Sequence, residues 1–435
     1  MNDVMCVLFT LHAQAYANNQ HKIADEMLTN PFLKAMSICE GTVSILDAGC
    51  VVYSRIWCIF ELFKSVMGDN SKFEFDVYTE IDGDRRAVGI THGLVPSDMG
   101  DSFYRRSRES EFPLDRILQA TNVDIKQAQA SVESDRKFIL NTITGRSEDD
   151  SVLDDHSNYD KLNNILRGIF VAPALERIIK EKDVDTITRC LDIVKVSNAR
   201  IIDLDLKDCS RFDEAILIKL ANSLPPLLTE LKLCNTVADV VTVNEINAFL
   251  GKIRYCQKLV ELDLNSNNID ADGAKQIADV LKVNHSLRIL DLSHNKIDAD
   301  GVKQIADALK VNHSLETLIL WDNNLSVEGA KAIADALKVN HGLKILSLVY
   351  NDLGDDGAKQ IADALKNNHS LEFLSLNVNN IGDDGAKDIA DTLQVNVSLK
   401  TLQLYANKIG ADGTSYLSKI KQELKDINRD IDIDW

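Results

Sequence analysis

The chain has 435 residues, of which 45% are hydrophobic and 26% are charged, and its formal net charge is −19. Residues 1–200 carry 23 Lys and Arg against 31 Asp and Glu, and residues 201–435 carry 25 against 36, so neither half is basic. This charge argues against nucleic acid and anionic membranes as partners and favours basic protein surfaces. The length predicts two to four domains of an ordinary soluble protein.

Cysteine usage and the N-terminus predict a cytoplasmic protein. The eight cysteines form no C-x-x-C pair and show no metal-type spacing, which indicates reduced thiols. The apolar run Val4–Leu11 is too short to span a bilayer, and no Lys or Arg precedes it as in a signal peptide. Four Asn-x-Ser sequons recur at one point of a structural repeat, which accounts for them without glycosylation. They begin at Asn284, Asn312, Asn368 and Asn396.

Residues 1–144 are predicted to form a small α/β or α+β module. The β-branched and aliphatic residues of Gly41–Asp47 indicate a buried strand, and Phe73–Tyr78 indicates another. Between them, Ser54–Met67 has the apolar spacing of an amphipathic helix with Ser54 as its N-cap. Strand, helix and strand in this order predict a parallel α/β layer.

The predicted helix resembles one in the Toll/interleukin-receptor (TIR) domain. There the motif S-x-W-C-x-x-E-L follows a strand, and this chain has the same residues with one extra position after the serine. The matching residues are Ser54, Trp57, Cys58, Glu61 and Leu62. The resemblance covers about residues 30–80 and implies a truncated TIR-like fold, because the first strand is missing. In NAD-cleaving members this glutamate is catalytic, so the resemblance implies Glu61 as the catalytic residue of an NAD nucleosidase. The alternative is an ordinary solvated or ion-paired glutamate.

A linker and a helical cap are predicted to follow. Residues 145–160 are acidic, rich in serine and without periodicity, which indicates a linker. Residues 161–200 have helical periodicity and are predicted to cover the first repeat, since the open end of a solenoid exposes its core. The nucleotide-binding loop G-x-x-x-x-G-K-[ST] does not occur, and the sequence indicates no cofactor.

Residues 201–425 repeat with a period of 28 residues. Six units share the pattern L-x-x-L-x-L-x-x-N, and their first leucines are Leu259, Leu287, Leu315, Leu343, Leu371 and Leu399. Two looser units precede them. One has Ile201, Leu204 and Leu206, with Cys209 in the asparagine position, and the other begins at Leu228. Eight units are predicted, with residues 426–435 as a C-terminal cap or tail.

Each unit is predicted to form a strand, a turn and a helix. The second and third leucines alternate with polar residues, so they point to one face of a strand, and the apolar residues that follow recur at helical spacing. Stacked units would form a parallel sheet inside and helices outside around one core. The repeated asparagine is predicted to satisfy backbone groups of the turn. An acidic residue before each repeat glycine is predicted to cap the helix. These residues are Asp272, Asp300, Glu328, Asp356, Asp384 and Asp412.

The unit resembles the ribonuclease-inhibitor class of leucine-rich repeats in its length and its signature positions. The resemblance covers roughly residues 200–425 and implies an α/β right-handed horseshoe that binds a partner on its concave face. That class includes inhibitors, actin cappers, NOD-like receptors and an activator of the GTPase Ran, so it implies no particular ligand. The catalytic arginine of the Ran activator lies on a repeat loop, and the matching loops of the six regular units here contain no arginine. A GTPase regulator is therefore disfavoured.

Side chains that alternate with the core leucines are predicted to line the concave face. Neighbouring strands would carry an apolar patch, which is the usual centre of a protein interface. The predicted partner-binding residues are Ile289, Ile319, Trp321, Ile345, Val349, Tyr350, Phe373 and Tyr405. The alternative is incidental exposure, since isolated apolar residues are normal on protein surfaces.

The four repeated histidines are predicted to be a duplicated turn and not a metal site, because no co-ligand recurs beside them. They are His285, His313, His341 and His369. The sequence thus predicts a protein-interaction scaffold, with a TIR-like NAD-cleaving enzyme that uses the repeats as its sensor as the alternative. It does not indicate the oligomeric state.

Overall fold

The structure is a computed structural model that describes residues 41–46, 63, 74–80, 87–91, 111–130, 132–147, 149–207, 209, 212–236, 243–429 and 431–435. The chain divides into two compact units, residues 1–201 and 202–435. Glu61 lies outside the described residues, as does the predicted helix Ser54–Met67 apart from Phe63, which is helical.

The first unit contains a small mixed sheet. Strand β1 (Gly41–Leu46) pairs in parallel with β2 (Glu74–Glu80), so both strands predicted in this region are confirmed. A strand that was not predicted, β3 (Ala87–Thr91), pairs with β2 in the antiparallel direction. The prediction of a parallel layer therefore holds for β1 and β2 but not for β3. Val77 on β2 lies opposite Ile90 on β3, and both are fully buried. One face of this sheet therefore packs on a core.

The first unit also contains helices. They are α1 (Leu114–Ala120), α2 (Glu133–Thr144), α3 (Ser157–Glu181) and α4 (Val184–Val196), with a 3₁₀ turn at Ile125–Gln127. Helix α3 begins at Ser157, inside the segment 145–160 that was predicted as a linker. Asp183 caps α4 by accepting a hydrogen bond from the Thr186 N–H at 2.8 Å. The predicted capping of the first repeat by these helices stays a prediction.

Among the described residues of the second unit and its border, nine strands form one sheet in sequential order from β4 to β12. The strands are β4 (Ile201–Asp205), β5 (Glu230–Cys234), β6 (Glu261–Asp263), β7 (Ile289–Asp291), β8 (Thr317–Ile319), β9 (Ile345–Ser347), β10 (Phe373–Ser375), β11 (Thr401–Gln403) and β12 (Asp432–Asp434). The pairs from β5 to β12 are all parallel. Strand β12 lies in the segment predicted as a C-terminal cap or tail, and it pairs with β11 at the end of the sheet.

A helix follows each strand from β4 to β11. These helices are α5 (Glu214–Ala221), α6 (Val243–Ile253), α7 (Ala271–Val283), α8 (Ala299–Leu309), α9 (Ser326–Leu337), α10 (Gly354–Leu365), α11 (Asp383–Leu393) and α12 (Ala411–Asp426). The second leucines of neighbouring repeats, such as Leu290 and Leu318, pair across the sheet and are fully buried. Helix residues Ile305 and Leu309 complete the same core. The predicted α/β repeat solenoid is confirmed.

The first strand has a different register from the predicted one. Ile202 is fully buried, whereas Ile201 is half-buried. The Leu206 N–H donates to the Cys234 carbonyl at 3.1 Å, which places Leu206 beyond the third leucine position of its repeat. The assignment of Ile201, Leu204 and Leu206 to the three leucine positions was therefore wrong. Residues 202, 204 and 206 alternate regularly, so the hydrophobic pattern allows two registers and only the hydrogen bonds decide between them.

Two ladders of buried asparagine side chains tie the repeats together. After the strands, Asn379 Nδ2 donates to the Leu348 carbonyl at 2.7 Å, and its Oδ1 accepts from the Asn351 N–H at 2.9 Å. This confirms the predicted role of the repeated asparagine. After the helices, Asn312 Nδ2 donates to the Leu281 carbonyl at 2.7 Å. The four sequon asparagines 284, 312, 368 and 396 all belong to this second ladder and are fully buried.

In helices α7 and α8 the capping residue lies two positions before the predicted one, and α9 and α10 have no side-chain cap hydrogen bond. Asp270 Oδ1 accepts from the Gly273 N–H at 3.1 Å, and Asp298 Oδ1 accepts from the Gly301 N–H at 2.9 Å. The predicted capping residue, Asp272, is instead in the first turn of α7. There its charge favours the helix N-terminus, but the residue before the helix is the one positioned to reach the free N–H groups.

In the last two helices the cap comes from the preceding repeat. Asp383 Oδ1 accepts from the N–H groups of Gly410 and Gly413, at 2.7 and 2.9 Å. Asp355 does the same for Gly382 and Gly385. Because Gly382 and Gly410 occupy the N-cap positions, these helices have no capping side chain of their own.

Candidate docking surface

The sheet face, formed by the side chains that alternate with the core leucines, carries large apolar groups on adjacent strands. Trp321 is 45% exposed and Ile345 38% exposed, while Ile289, Ile319, Val349 and Phe373 are half-buried. The register aligns Ile289, Ile345 and Phe373 in one row across β7 to β10. Thr317 stands between Ile289 and Ile345 in this row, and Ile319 and Trp321 are the apolar residues of its repeat on this face. Since neighbouring strands are about 4.8 Å apart, these side chains together form one apolar patch.

The apolar patch continues at the ends of the strands. Tyr350 directly follows Val349 and is 56% exposed, and Tyr405 lies just after β11 and is 62% exposed. All eight predicted residues, Ile289, Ile319, Trp321, Ile345, Val349, Tyr350, Phe373 and Tyr405, therefore lie on the sheet face or at its strand ends, and together they define the apolar patch.

A position in the turn after the strands was missed by the sequence analysis. His294, Asp322, Tyr350, Val378 and Ala406 are 28 residues apart, and each has a φ between 52° and 57°. Val378 is 36% exposed and adds an apolar side chain beside Tyr350. This backbone region is costly for a β-branched residue. The signal in the sequence was that Val378 stands one repeat after Tyr350.

Trp321 is supported by its neighbours in the preceding turn. Its ring lies 4.6 Å from the His294 imidazole, centroid to centroid, with a tilt of 52°. The His294 Nδ1 is in turn 2.7 Å from Asp322 Oδ2. The indole therefore packs against the His294 ring on one side, and nearly half of the Trp321 surface is exposed to solvent. A prepositioned aromatic side chain loses little conformational freedom on binding.

Carboxylates dominate the sheet face on both sides of the apolar patch. Eight lie on the described strands: Asp203, Asp205, Glu230, Glu261, Asp263 and Asp291 on β4 to β7, and Asp432 and Asp434 on β12. Among the described residues of these positions there is one lysine, Lys232, and its Nζ is 3.0 Å from both Glu230 and Glu261. The two groups of carboxylates are called the acidic ends below.

Burial affects the charges of the acidic ends. It raises the pKa of Glu261 more than the neighbouring Lys232 lowers it. It also raises the pKa of Asp291, against the hydrogen bonds that Ser293 donates. Burial disfavours the Lys232 ammonium, but the carboxylates of Glu230 and Glu261 outweigh it and raise the pKa of Lys232. The charged forms of Glu261 and Asp291 are thus held at a cost in the free protein.

The opposite edge of the sheet, where the strands begin, carries charges of both signs. Lys344 Nζ lies 2.6 Å from Glu316, Arg288 Nε lies 3.6 Å from the same carboxylate, and Lys400 pairs with Glu372. Both signs alternate from one repeat to the next. Exposed pairs of this kind contribute little to stability, and the three basic residues outnumber the two glutamates by one at this edge.

Other candidate sites have no matching arrangement in the described part of the chain. The four repeated histidines are exposed, and no group of three His, Cys, Asp or Glu side chains could hold a metal ion there. Burial raises the pKa of the thiols of Cys190 and Cys256 to about 11. None of the described helices combines the length and the apolar character needed to span a bilayer.

The repeats match a known family. Five segments match the family model described as "Leucine Rich repeat", at residues 255–278, 283–306, 311–334, 339–362 and 367–390. The chain therefore carries leucine-rich repeats. No curated protein sequence matches it.

Two solved structures have partial likeness to the chain. Leiomodin-1 actin-binding site 2 is 19% identical with a TM-score of 0.30, and the match covers 42% of this chain and 92% of that one. The tropomodulin C-terminal domain of Caenorhabditis elegans is 15% identical with a TM-score of 0.29, over 35% of this chain and 92% of that one. Likeness at this level carries no argument about the partner of this chain.

Proposed function

We propose that the chain is a protein-interaction scaffold that holds a protein partner against the sheet face, with the apolar patch at the centre of the interface. The observation that supports this most is the exposure of Trp321, Ile345, Tyr350 and Tyr405, which lie on or just after β8, β9 and β11 of the same sheet. A clustered patch of aromatic and aliphatic groups with a polar rim has the make-up of an interface core. The proposal includes a repeat of the ribonuclease-inhibitor type and a cytoplasmic location.

Alanine substitution in the apolar patch tests this function. The full chain and its Trp321→Ala, Phe373→Ala double variant are used to capture proteins from a lysate of the source cells. Tyr255→Ala is the matched control, because Tyr255 is 73% exposed and follows helix α6, outside the sheet face. We expect the double variant to lose the specific partner and the control to keep it. Equal recovery by all three proteins would show that the sheet face is not the docking surface.

NAD cleavage by the N-terminal module remains a second candidate. The parallel pairing of β1 with β2 supports it, because parallel neighbours need a crossover connection, and Glu61 lies in the connecting residues. The test is release of nicotinamide from NAD by the full chain and by Glu61→Gln. Turnover that does not depend on Glu61, or no turnover with a captured partner present, removes this candidate.

A further inference from the structure

The charges around the apolar patch define the chemistry of the partner. We infer that the partner presents an α-helix across the strands, with an apolar stripe in its middle and Lys or Arg at both ends. This inference rests on the proposed function and adds the class of partner to it. The basic ends of the helix would lie on the acidic ends of the sheet face, and its apolar stripe would lie on the apolar patch.

The distribution of charge carries the first step. The described strands β4 to β12 carry eight carboxylates and one lysine, Lys232, which pairs with Glu230 and Glu261. The carboxylates occupy β4 to β7 and β12, so they lie on both sides of the apolar patch and overlap it only at β7, where Asp291 pairs with Ile319 of β8. Complementary charge at the rim attracts the correct partner and repels others. An anionic partner would meet repulsion at both sides of the patch.

The dimensions carry the second step. The apolar patch extends from β7 to β11, which is four strand spacings or about 19 Å. At 1.5 Å per residue, an apolar stripe of about 13 helical residues spans that distance. The strands from β6 onward have three residues each, but the apolar patch continues past them, as from Ile345 to Val349, so the sheet face is about 16 Å wide along the strands. An α-helix with its side chains is about 10–12 Å across, so one helix covers about two-thirds of that width.

Other occupants fit less well. A second copy of this chain would bring a formal charge of −19 against the acidic ends. Nucleic acid would meet the same repulsion. A cationic group near Glu261 or Asp291 would also relieve the cost of holding these half-buried carboxylates charged. A basic protein helix satisfies the charge, the apolar stripe and the width together.

Three synthetic helical peptides test the inference. Each has about 24 residues with the same central apolar stripe, and their ends carry Lys, Gln or Glu. Binding to the full chain is followed by fluorescence anisotropy at low and raised salt. We expect the Lys-ended peptide to bind about tenfold more tightly than the Gln-ended one, with the Glu-ended peptide weakest. The advantage should shrink as salt is raised, because exposed charges are screened.

Two protein variants separate this inference from the proposed function. In the quadruple variant Asp263→Asn, Asp291→Asn, Asp432→Asn, Asp434→Asn, the preference for Lys ends should fall towards one, since asparagine keeps the acceptor oxygen and loses the charge. Trp321→Ala should weaken all three peptides. Sensitivity to Trp321→Ala without a charge preference overturns the basic helix and leaves the docking surface intact. Binding that ignores Trp321→Ala contradicts the proposed function, and no binding of the Lys-ended peptide overturns the inference.

Discussion

Substitution of Asp383 should weaken the helix of the following repeat. Its carboxylate accepts from the N–H groups of Gly410 and Gly413, which begin helix α12, at 2.7 and 2.9 Å. In the equivalent place α7 uses its own residue, Asp270. Helix α7 is therefore capped by the residue directly before it, whereas α12 is capped by a carboxylate at the start of the helix in the preceding repeat. Asp383→Ala removes the cap and leaves two N–H groups without it.

The expected magnitude follows from the value of a single cap. Losing an N-cap costs about 1 kcal/mol and up to about 2, so we expect about 1.5 kcal/mol for this pair of hydrogen bonds, of which the one to Gly413 is partly buried. Gly410→Asp alone should also destabilise, because an added Cβ would lie 3.0 Å from Asp383 Oδ2 and bring two carboxylates together. In the double variant the new side chain caps α12 as Asp270 caps α7. The stability should then return to within about 0.5 kcal/mol of the wild type, and the coupling between the two sites should be about 2 kcal/mol.

Hydrogen exchange of the full chain measures this locally. Asp383→Ala should make the amides of Ala411–Asp426 exchange about tenfold faster, since 1.4 kcal/mol corresponds to a factor of ten. Helix α7 (Ala271–Val283) is the internal control and should not change. An increase in the exchange rate of the double variant, relative to the wild type, that equals the product of the increases in the two single variants would show that the two sites are independent. The account of capping between repeats would then be wrong.

Three further predictions concern single positions. Val378→Asn should stabilise by about 1 kcal/mol and raise the melting temperature by about 2–4 °C, because asparagine tolerates the positive φ better. Val349→Asn is the control, and an equal gain there would contradict the reason. Gly342→Ser should destabilise by about 1 kcal/mol or more in urea, because a Cβ would lie 2.2 Å from the His313 carbonyl oxygen, although four other repeats have serine there. Asp291→Asn should stabilise near neutral pH by under about 1 kcal/mol, because burial raises the carboxyl pKa. The folded state then binds a proton more readily than the unfolded state, so the wild type loses stability as pH rises through the folded-state pKa. The difference between the two proteins should vanish at lower pH, and a difference independent of pH would contradict this cause.

The sequence was sufficient to predict the solenoid because the repeated residues have separate physical roles. Leucines at positions such as Leu290 must be buried, and asparagines such as Asn379 must bond backbone groups, so any one repeat constrains the others. The apolar patch followed from the same alternation. Its residues could be assigned to the sheet face once the core leucines were known.

The remaining features depend on geometry that the pattern does not contain. The capping role of Asp383 depends on a hydrogen bond to Gly410 in the next repeat, which spacing along one repeat cannot indicate. The paired edge of Glu316 and Lys344 and the turn position of Val378 became apparent only when the repeats were stacked. Strand β12 could have been predicted, because Ile433 between two aspartates has the alternation of a strand.

The central claim is that a protein partner docks on the sheet face, and photo-crosslinking tests it most directly. Benzoylphenylalanine is introduced at Tyr350 or, as a control, at Tyr255, because both side chains are aromatic and exposed. After irradiation in a lysate of the source cells, the protein labelled at Tyr350 should form a discrete adduct with one protein, and the control should not. The same adduct from both positions, or an adduct from Tyr255 alone, would contradict docking on this face.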